Sequence, residues 1–344
     1  MPDAVRPDAL RPDALRPGAA RIVLPARISP AAFAGLEPGA TITDLGGETM
    51  GTRWNVRVVL AIGVTAASIQ AAIVARLAEI IDEMSHWAPD SLLSRFNRSA
   101  GGSETILPPD FAHVMAAALK IAEATGGAFD PTIGRLVDLH GFGPVPVDHP
   151  PKPEEIDTAL KASGWQRLTF THADRRLRQP GGLSLDLSGI AKGHAVDAVA
   201  DLLAEMGVTH ALVEIGGELV GRGVRPDGQP WWVDLEVPPG LTLAPLRIAL
   251  HGLAVATSGD YRRGGHTLDP RTCWPTANGV VSASVIHSSA LVADAWATAL
   301  TVLGPEGGLA LATVNDIAAR FVTCDEGETC EHITPALASM LAND

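Results

Sequence analysis

The chain has 344 residues, 46% of them hydrophobic, and a formal net charge of −13 with only four lysines, Lys120, Lys152, Lys161 and Lys192. That length and apolar share suffice for a sizeable core, in one large domain or two tightly joined ones. The acidic balance and the lack of a basic stripe argue against non-specific nucleic-acid binding, and no apolar run approaches the roughly 18 residues that a membrane span needs.

The N-terminus repeats Arg-Pro-Asp-Ala-Leu at residues 6–10 and 11–15. Alternating proline and charge cannot pack a core, so residues 1–37 are expected to form a disordered tail ahead of a folded domain, 38–344, with order beginning near Thr41. There is no basic start followed by an apolar stretch, hence no signal peptide or lipoprotein signal. The chain as written reads as cytoplasmic, and as periplasmic if its start codon is misassigned.

Thr52–Ile62 alternates Trp54, Val56 and Val58 against Arg53, Asn55 and Arg57, the period of a strand. Ser68 is the expected cap of a helix with Ile69, Ile73, Leu77, Ile80, Ile81 and Met84 on its apolar face. A second helix is predicted over Pro109–Ala124, stopping at Gly126-Gly127. The Pro- and Gly-rich stretch Gly141–Pro151 separates the halves, and Lys152–Ser163 reads as helix. Strands follow near Arg167–Phe170 and Leu183–Leu187, then a helix over Lys192–Met206. Further strands are predicted at His210–Ile215, Trp231–Val237 and Leu246–Thr257. A helix over Ser289–Leu303 ends at Gly304, and Ile317–Thr323 is a last strand. Neighbouring strands interrupted by helices favour an α+β fold over a doubly wound sheet.

The cysteines, Cys273, Cys324 and Cys330, lack zinc-site spacing. Cys324 and Cys330 flank a turn-like Asp325–Glu328 segment and are placed to face each other across a hairpin, as free thiols in a reducing compartment or as a disulfide.

Several short segments carry polar chemistry. Asp294 and Thr298 stand four apart in an otherwise apolar helix, so both oxygens project from one face. A hard cation such as Mg²⁺ takes such ligands, although an ordinary solvated pair has the same spacing. Asp186–Gly193 is a strand end, a glycine turn and a helix start, a place where backbone N–H groups meet phosphate, with Lys192 adding charge. It has neither P-loop nor Rossmann glycine spacing. Ile215-Gly216-Gly217-Glu218 permits close backbone approach or a bulge. His266 lies between a Gly-Gly pair and Asp269-Pro270, on an expected loop.

In chain order the segments read Met-Gly-Thr (50–52), Ser-x-x-Ser-Arg-Phe-Asn (91–97), Gly-Ala-Phe-Asp-Pro-Thr (127–132), Asp-Leu-Ser-Gly-Ile-Ala-Lys-Gly (186–193), Ile-Gly-Gly-Glu (215–218), Ala-Thr-Ser-Gly-Asp-Tyr (256–261), His-Thr-Leu-Asp-Pro-Arg-Thr (266–272) and Ala-Asp-Ala-Trp-Ala-Thr-Ala-Leu (293–300). This set resembles the ApbE family of FAD:protein FMN transferases over about residues 43–325. The resemblance implies an α+β, two-lobed, T-fold-like domain with FAD and metal in its cleft. It implies Mg²⁺ held by the Gly189 carbonyl, Asp294 and Thr298. FAD contacts fall on Met50, Trp87, Ala128, Phe129, Asp130, Asp186, Lys192 and His266, with His266 and Asp294 as catalytic residues. Relatives often carry Ala at the position of Gly189 and Tyr or Phe at that of Trp87. They usually have Gly where this chain has Cys273, a position that a β-carbon restricts if the turn needs positive φ.

The implied reaction is attack of an acceptor protein's Ser or Thr hydroxyl on the FMN-side phosphorus of FAD, with AMP leaving. The acceptor would be a flavoprotein carrying a short Ser/Thr flavinylation motif. Two other readings use the same residues: an Mg²⁺-dependent FAD pyrophosphatase, in which water replaces the hydroxyl, and a non-catalytic flavin-binding protein.

Overall fold

The computed structural model describes residues 20–261, 265–325 and 327–342. In chain order the elements are β1 (Arg21–Val23), β2 (Ile42–Thr49), β3 (Thr52–Val59), α1 (Ala66–Met84), α2 (Leu92–Asn97), β4 (Glu104–Ile106), α3 (Pro109–Ala124), α4 (Gly134–Leu139) and α5 (Pro153–Ala162). Then come β5 (Thr169–Thr171), β6 (Arg176–Arg178), α6 (Ala191–Glu205), β7 (Ala211–Ile215), β8 (Glu218–Arg222), β9 (Trp231–Asp234), β10 (Leu246–Leu250), β11 (Leu253–Ser258), β12 (Leu268–Asp269) and β13 (Trp274–Pro275). The chain closes with β14 (Val280–His287), α7 (Ala290–Val314), β15 (Ala318–Asp325), β16 (Glu328–Ile333) and α8 (Pro335–Ser339).

The centre is an antiparallel sheet in the order β16-β15-β14-β11-β8-β7-β3-β2. Period-2 alternation divides its side chains between two layers. Trp54, Val56, Val213, Ile215, Val220, Ala254, Ala256, Val285 and Phe321 face inward, into a core completed by α1, α3, α6 and α7. Leu212, Val255, Ile286 and Ala318 face outward and meet a second cluster built on Val23, Trp231, Leu246 and Ile248. That outer layer is a small sheet in the order β1-β10-β9. The mixed architecture, with one large antiparallel sheet and helices packed mainly on one face, is the expected α+β class.

Local signals explain several boundaries. The β2–β3 hairpin turns through Met50 and Gly51, at φ 48° and 69°, the double positive φ of a tight two-residue hairpin loop. Thr65, not Ser68, caps α1; Ser68 is the reciprocal partner in a capping box, with bonds of 3.1 and 3.3 Å. Helix α7 breaks at Gly304, φ 76°, immediately before Pro305. By length and composition it is apolar enough to cross a bilayer, but Ala293, Ala295, Trp296, Ala297, Ala299 and Leu300 lie in the main core.

Four expectations need correction. The tail does not run to residue 37: β1 pairs in parallel with β10, Val23 is fully buried, and Arg21 Nη2 meets Glu331 Oε1 at 2.6 Å. Two apolar residues beside one arginine suffice for a three-residue strand that composition alone hides. Residues 1–19 lie outside the described residues. Leu246–Thr257 is not one strand, because Gly252 (φ 64°) turns the chain from the small sheet into the large one. Leu183–Leu187 forms only an isolated bridge, Ser184 to Ile133. Finally, Cys324 pairs with Thr329 and Cys330 with Thr323. The one-residue offset sends the two thiols to opposite faces, and both are free.

Candidate active site

A cleft of about 370 Å³ opens where the inner ends of β7, β8 and β11 meet α6 and α7. Its walls include Trp87, Ala128, Phe129, Asp130, Asp186, Gly189, Lys192, His266, Asp294 and Thr298. Ten of the sequence-derived positions therefore converge from segments more than 200 residues apart. Met50 does not reach this wall. It sits in the hairpin turn and packs partly buried on the main core, while Thr52 lines the cleft.

The three residues expected to hold a metal are brought together by close helix approach. Gly193, in the first turn of α6, donates its N–H to Asp294 Oδ2 at 3.0 Å. A β-carbon built on Gly189 would lie 2.9 Å from Thr298 Oγ1, so the Gly189 backbone passes against that hydroxyl. Asp294 is 5% exposed. Burial pushes its carboxyl pKa up, and the Lys192 cation pulls it back. Lys192 Nζ lies 2.5 Å from Glu218 Oε1. Burial, opposed by Lys192 and reinforced by Asp294, pushes Glu218 up to about 7, and its Oε2 has no hydrogen-bond partner among the described residues. Two desolvated carboxylates facing one lysine leave room for a further positive charge. With a neighbouring hydroxyl and peptide carbonyl, the donors are all oxygen, as a hard divalent cation requires. Among the described residues no cluster of three His, Cys, Asp or Glu offers a softer site.

Around this trio, Asp186 Oδ1 accepts the N–H of Ser188 at 2.8 Å and its hydroxyl. Asp186 Oδ2 lies 3.8 Å from His86 Nδ1, and both Asp186 Oδ2 and His86 Nε2 are buried without hydrogen-bond partners among the described residues. Trp87 is 60% exposed beside His86, their ring centroids 5.3 Å apart. An exposed indole on a cleft wall offers a stacking face for a planar ligand. Asp130 lies on the cleft wall. Its carboxylate is taken up by the Thr132 N–H and hydroxyl, at 2.8 and 2.6 Å, and by the Trp165 N–H at 3.1 Å. It shapes the Phe129 turn and contributes little free acceptor capacity to the cleft.

His266 is held from behind. Its Nδ1 lies 3.1 Å from Asp260 Oδ1, which also accepts the Thr267 N–H and hydroxyl at 3.2 and 2.9 Å. Burial pushes the Asp260 pKa up, but the His266 and Thr267 interactions outweigh it and hold the carboxyl below its ordinary value. Next to this loop Cys273 has φ 66° and is buried, its carbonyl 2.9 Å from His140 Nε2. The turn does need positive φ, and a non-glycine residue occupies it.

Asp260, Glu218 and His86 were not singled out from sequence. Asp260 and Glu218 lie inside segments that were, and His86 precedes the expected contact Trp87, so the available signal was motif membership or adjacency. What sequence could not give was their partners, His266, Lys192 and Asp186.

The family model described as "ApbE family" matches residues 50–321. The chain belongs to the ApbE family. Similarity to individual ApbE proteins extends over most of its length. It is 37% identical over 316 residues to the FAD:protein FMN transferase of Vibrio cholerae, covering 88% of this chain and 94% of that protein. To the Escherichia coli K12 protein of the same name it is 33% identical over 317 residues, 88% and 90% of the two chains. The solved flavin transferase ApbE from V. cholerae superposes with a TM-score of 0.82 at 35% identity, covering 88% of this chain and all of the other. The apo form of the Pseudomonas stutzeri flavinyl transferase ApbE gives 0.82 at 36% identity, with 88% and 98% coverage.

Proposed function

We propose that this ApbE protein transfers the FMN half of FAD, in the presence of Mg²⁺, to a Ser or Thr hydroxyl of an acceptor flavoprotein. The observation that carries this reading is the convergence of Gly189, Asp294 and Thr298 with Lys192 on a cleft that also presents Trp87, Phe129 and His266. In the reaction the acceptor oxygen forms a new bond to the FMN-side phosphorus. The bond from that phosphorus to the bridging oxygen breaks, AMP departs, and the hydroxyl proton is released.

Asp294, Thr298 and the Gly189 carbonyl would hold the cation. When bound, a divalent ion neutralises pyrophosphate oxygens and the charge growing on the leaving phosphate. Lys192 adds a fixed positive charge at the same wall. Trp87 and Phe129 supply apolar faces for the flavin and adenine rings. His266, its Nδ1 3.1 Å from Asp260 Oδ1, takes the proton of the acceptor hydroxyl. The rest is positioning.

Mass spectrometry of a candidate acceptor after incubation with the protein, FAD and Mg²⁺ tests the reading. The expected result is an FMN adduct on Ser or Thr with one AMP per adduct. AMP with free FMN and no adduct would replace transfer by FAD hydrolysis. FAD binding without AMP would leave a flavin-binding protein.

A further inference from the structure

A second cavity, about 400 Å³, lies on the opposite, outer face of the large sheet. Leu212, Leu219 and Val255 line its floor, and Val233, Asp234, Leu235 and Glu236 form one wall. It shares Gly216, Thr257 and Gly259 with the cleft. Glu218 and Leu219 are successive residues of β8 and so face opposite sides of the sheet; one lines the cleft, the other the outer groove. The two spaces meet over the sheet end at the Gly216-Gly217 turn. A β-carbon on Gly217 would meet nothing within 4 Å, so the rim there is open.

The wall formed by β9 is an unpaired sheet edge among the described residues. Side chains alternate along a strand, so four consecutive lining residues mean that backbone is part of the wall. Leu235 donates its N–H to the Leu246 carbonyl at 2.9 Å. Bonded pairs alternate in an antiparallel ladder, which turns the N–H and C=O groups of Trp232 and Asp234 away from β10. The charged rim groups are Glu214, Asp234, Glu236 and Arg57; Arg57 pairs with Asp44 at 2.9 Å, and Asp234 with Arg247 at 2.7 Å. Among the described residues the rim offers no cluster of cations for the phosphates of FAD, whereas a polypeptide can use the backbone edge.

We propose that this groove docks an extended segment of the acceptor protein. The segment adds as a strand to the β9 edge, lays apolar side chains on the half-buried Leu219 and Val233, and passes its hydroxyl residue over the Gly216-Gly217 rim into the cleft. This rests on the transferase reading above.

The test uses the full chain with FAD, Mg²⁺ and an acceptor protein that the wild-type protein labels on Ser or Thr. Leu219→Arg fills the floor. Asp234→Pro removes an outward N–H without breaking the β10 ladder, and Arg247→Ala controls for the lost Asp234–Arg247 pair. The KM for the acceptor is expected to rise about tenfold or more in the first two and to stay near wild type in the control. FAD affinity and AMP release without acceptor are expected to change by less than about twofold. An unchanged acceptor KM in both groove variants overturns the proposal, as does a parallel loss of FAD affinity, which would make the groove part of the flavin site. If Leu219→Arg melts early, Asp234→Pro decides. A wild-type protein that labels no acceptor brings down the transferase reading itself, a result distinct from normal labelling by the groove variants.

Discussion

Gly193 runs so close beneath Asp294 that a β-carbon on it would stand 2.8 Å from the Asp294 Cβ and 2.3 Å from the Ala290 carbonyl oxygen. The second obstacle is backbone and cannot rotate away. Gly193→Ala must therefore push α6 and α7 apart, at a cost of about 1–3 kcal/mol for overpacking. A lower melting temperature is expected together with weaker Mg²⁺ binding. An unchanged melting temperature would mean that the helices have slack at this crossing.

Asp294→Asn keeps the side-chain shape and removes the charge. Because burial disfavours the ionised carboxyl, the metal-free variant should be at least as stable as the wild type. The rise in melting temperature that Mg²⁺ produces should vanish, since only the native state binds the ion. FMN transfer should fall with it. A variant that retains the Mg²⁺-induced rise would place the ion elsewhere.

His266→Ala should lower turnover by about 10²–10⁴-fold, the range for a lost acid–base group. FAD affinity, measured by fluorescence quenching, should hold because the exposed ring face of Trp87 and the rest of the cleft wall remain. Asp260→Asn should give a smaller loss of kcat with the same FAD affinity, as expected for a residue that orients another. Equal turnover in all three proteins would remove the pair from the chemistry.

Glu218 gives a pH dependence whose sign is fixed. In the folded chain it keeps its proton to about pH 7, whereas its ordinary value is 4.5. Between those values the native state binds more protons than the unfolded one, so this group's contribution to stability falls as pH rises from 4.5 through 7. Glu218→Gln removes that slope. In chelator, the variant's melting temperature relative to wild type should be higher at pH 8 than at pH 5. A pH-independent difference would mean that Glu218 stays ionised throughout.

A chain beginning at residue 38 should be less stable than the full one. It loses the β1–β10 ladder, the buried Val23 and the Arg21 partner of Glu331, which also faces Arg320 Nε at 2.5 Å. Burying one valine contributes about 1.5–3 kcal/mol, enough for a drop of several degrees in a thermal melt. Identical melting curves would show that the outer layer stands without its first strand.

The residues that were legible in the sequence are those whose role is set by local spacing. Asp294 and Thr298 share a helix face because they are four apart, and Ile69, Ile73, Leu77 and Ile80 are buried for the same reason. Positive φ at Cys273 meets a condition that only the family resemblance, with its glycine at this position, had raised. What depended on a distant partner was not legible. Arg21–Val23 becomes a strand only because β10 lies beside it, and Gly252 marks a sheet change only once both sheets exist. Asp130 occupies its expected place, yet its carboxylate is used by Thr132 and Trp165, a local competition that composition does not reveal.

The turn at Gly252 has a mechanical consequence. Its N–H bonds the Gly221 carbonyl at 2.9 Å, and it joins β10, the middle strand of the small sheet, directly to β11, the fourth of eight strands in the large one. A load on the outer layer is thus delivered to the interior of the main sheet, where β8 and β14 resist it in shear from both sides, and not to an edge that would unzip strand by strand. The two layers are riveted through their centres, which fixes the spacing of the outer groove from the inner cleft however the loops around them move.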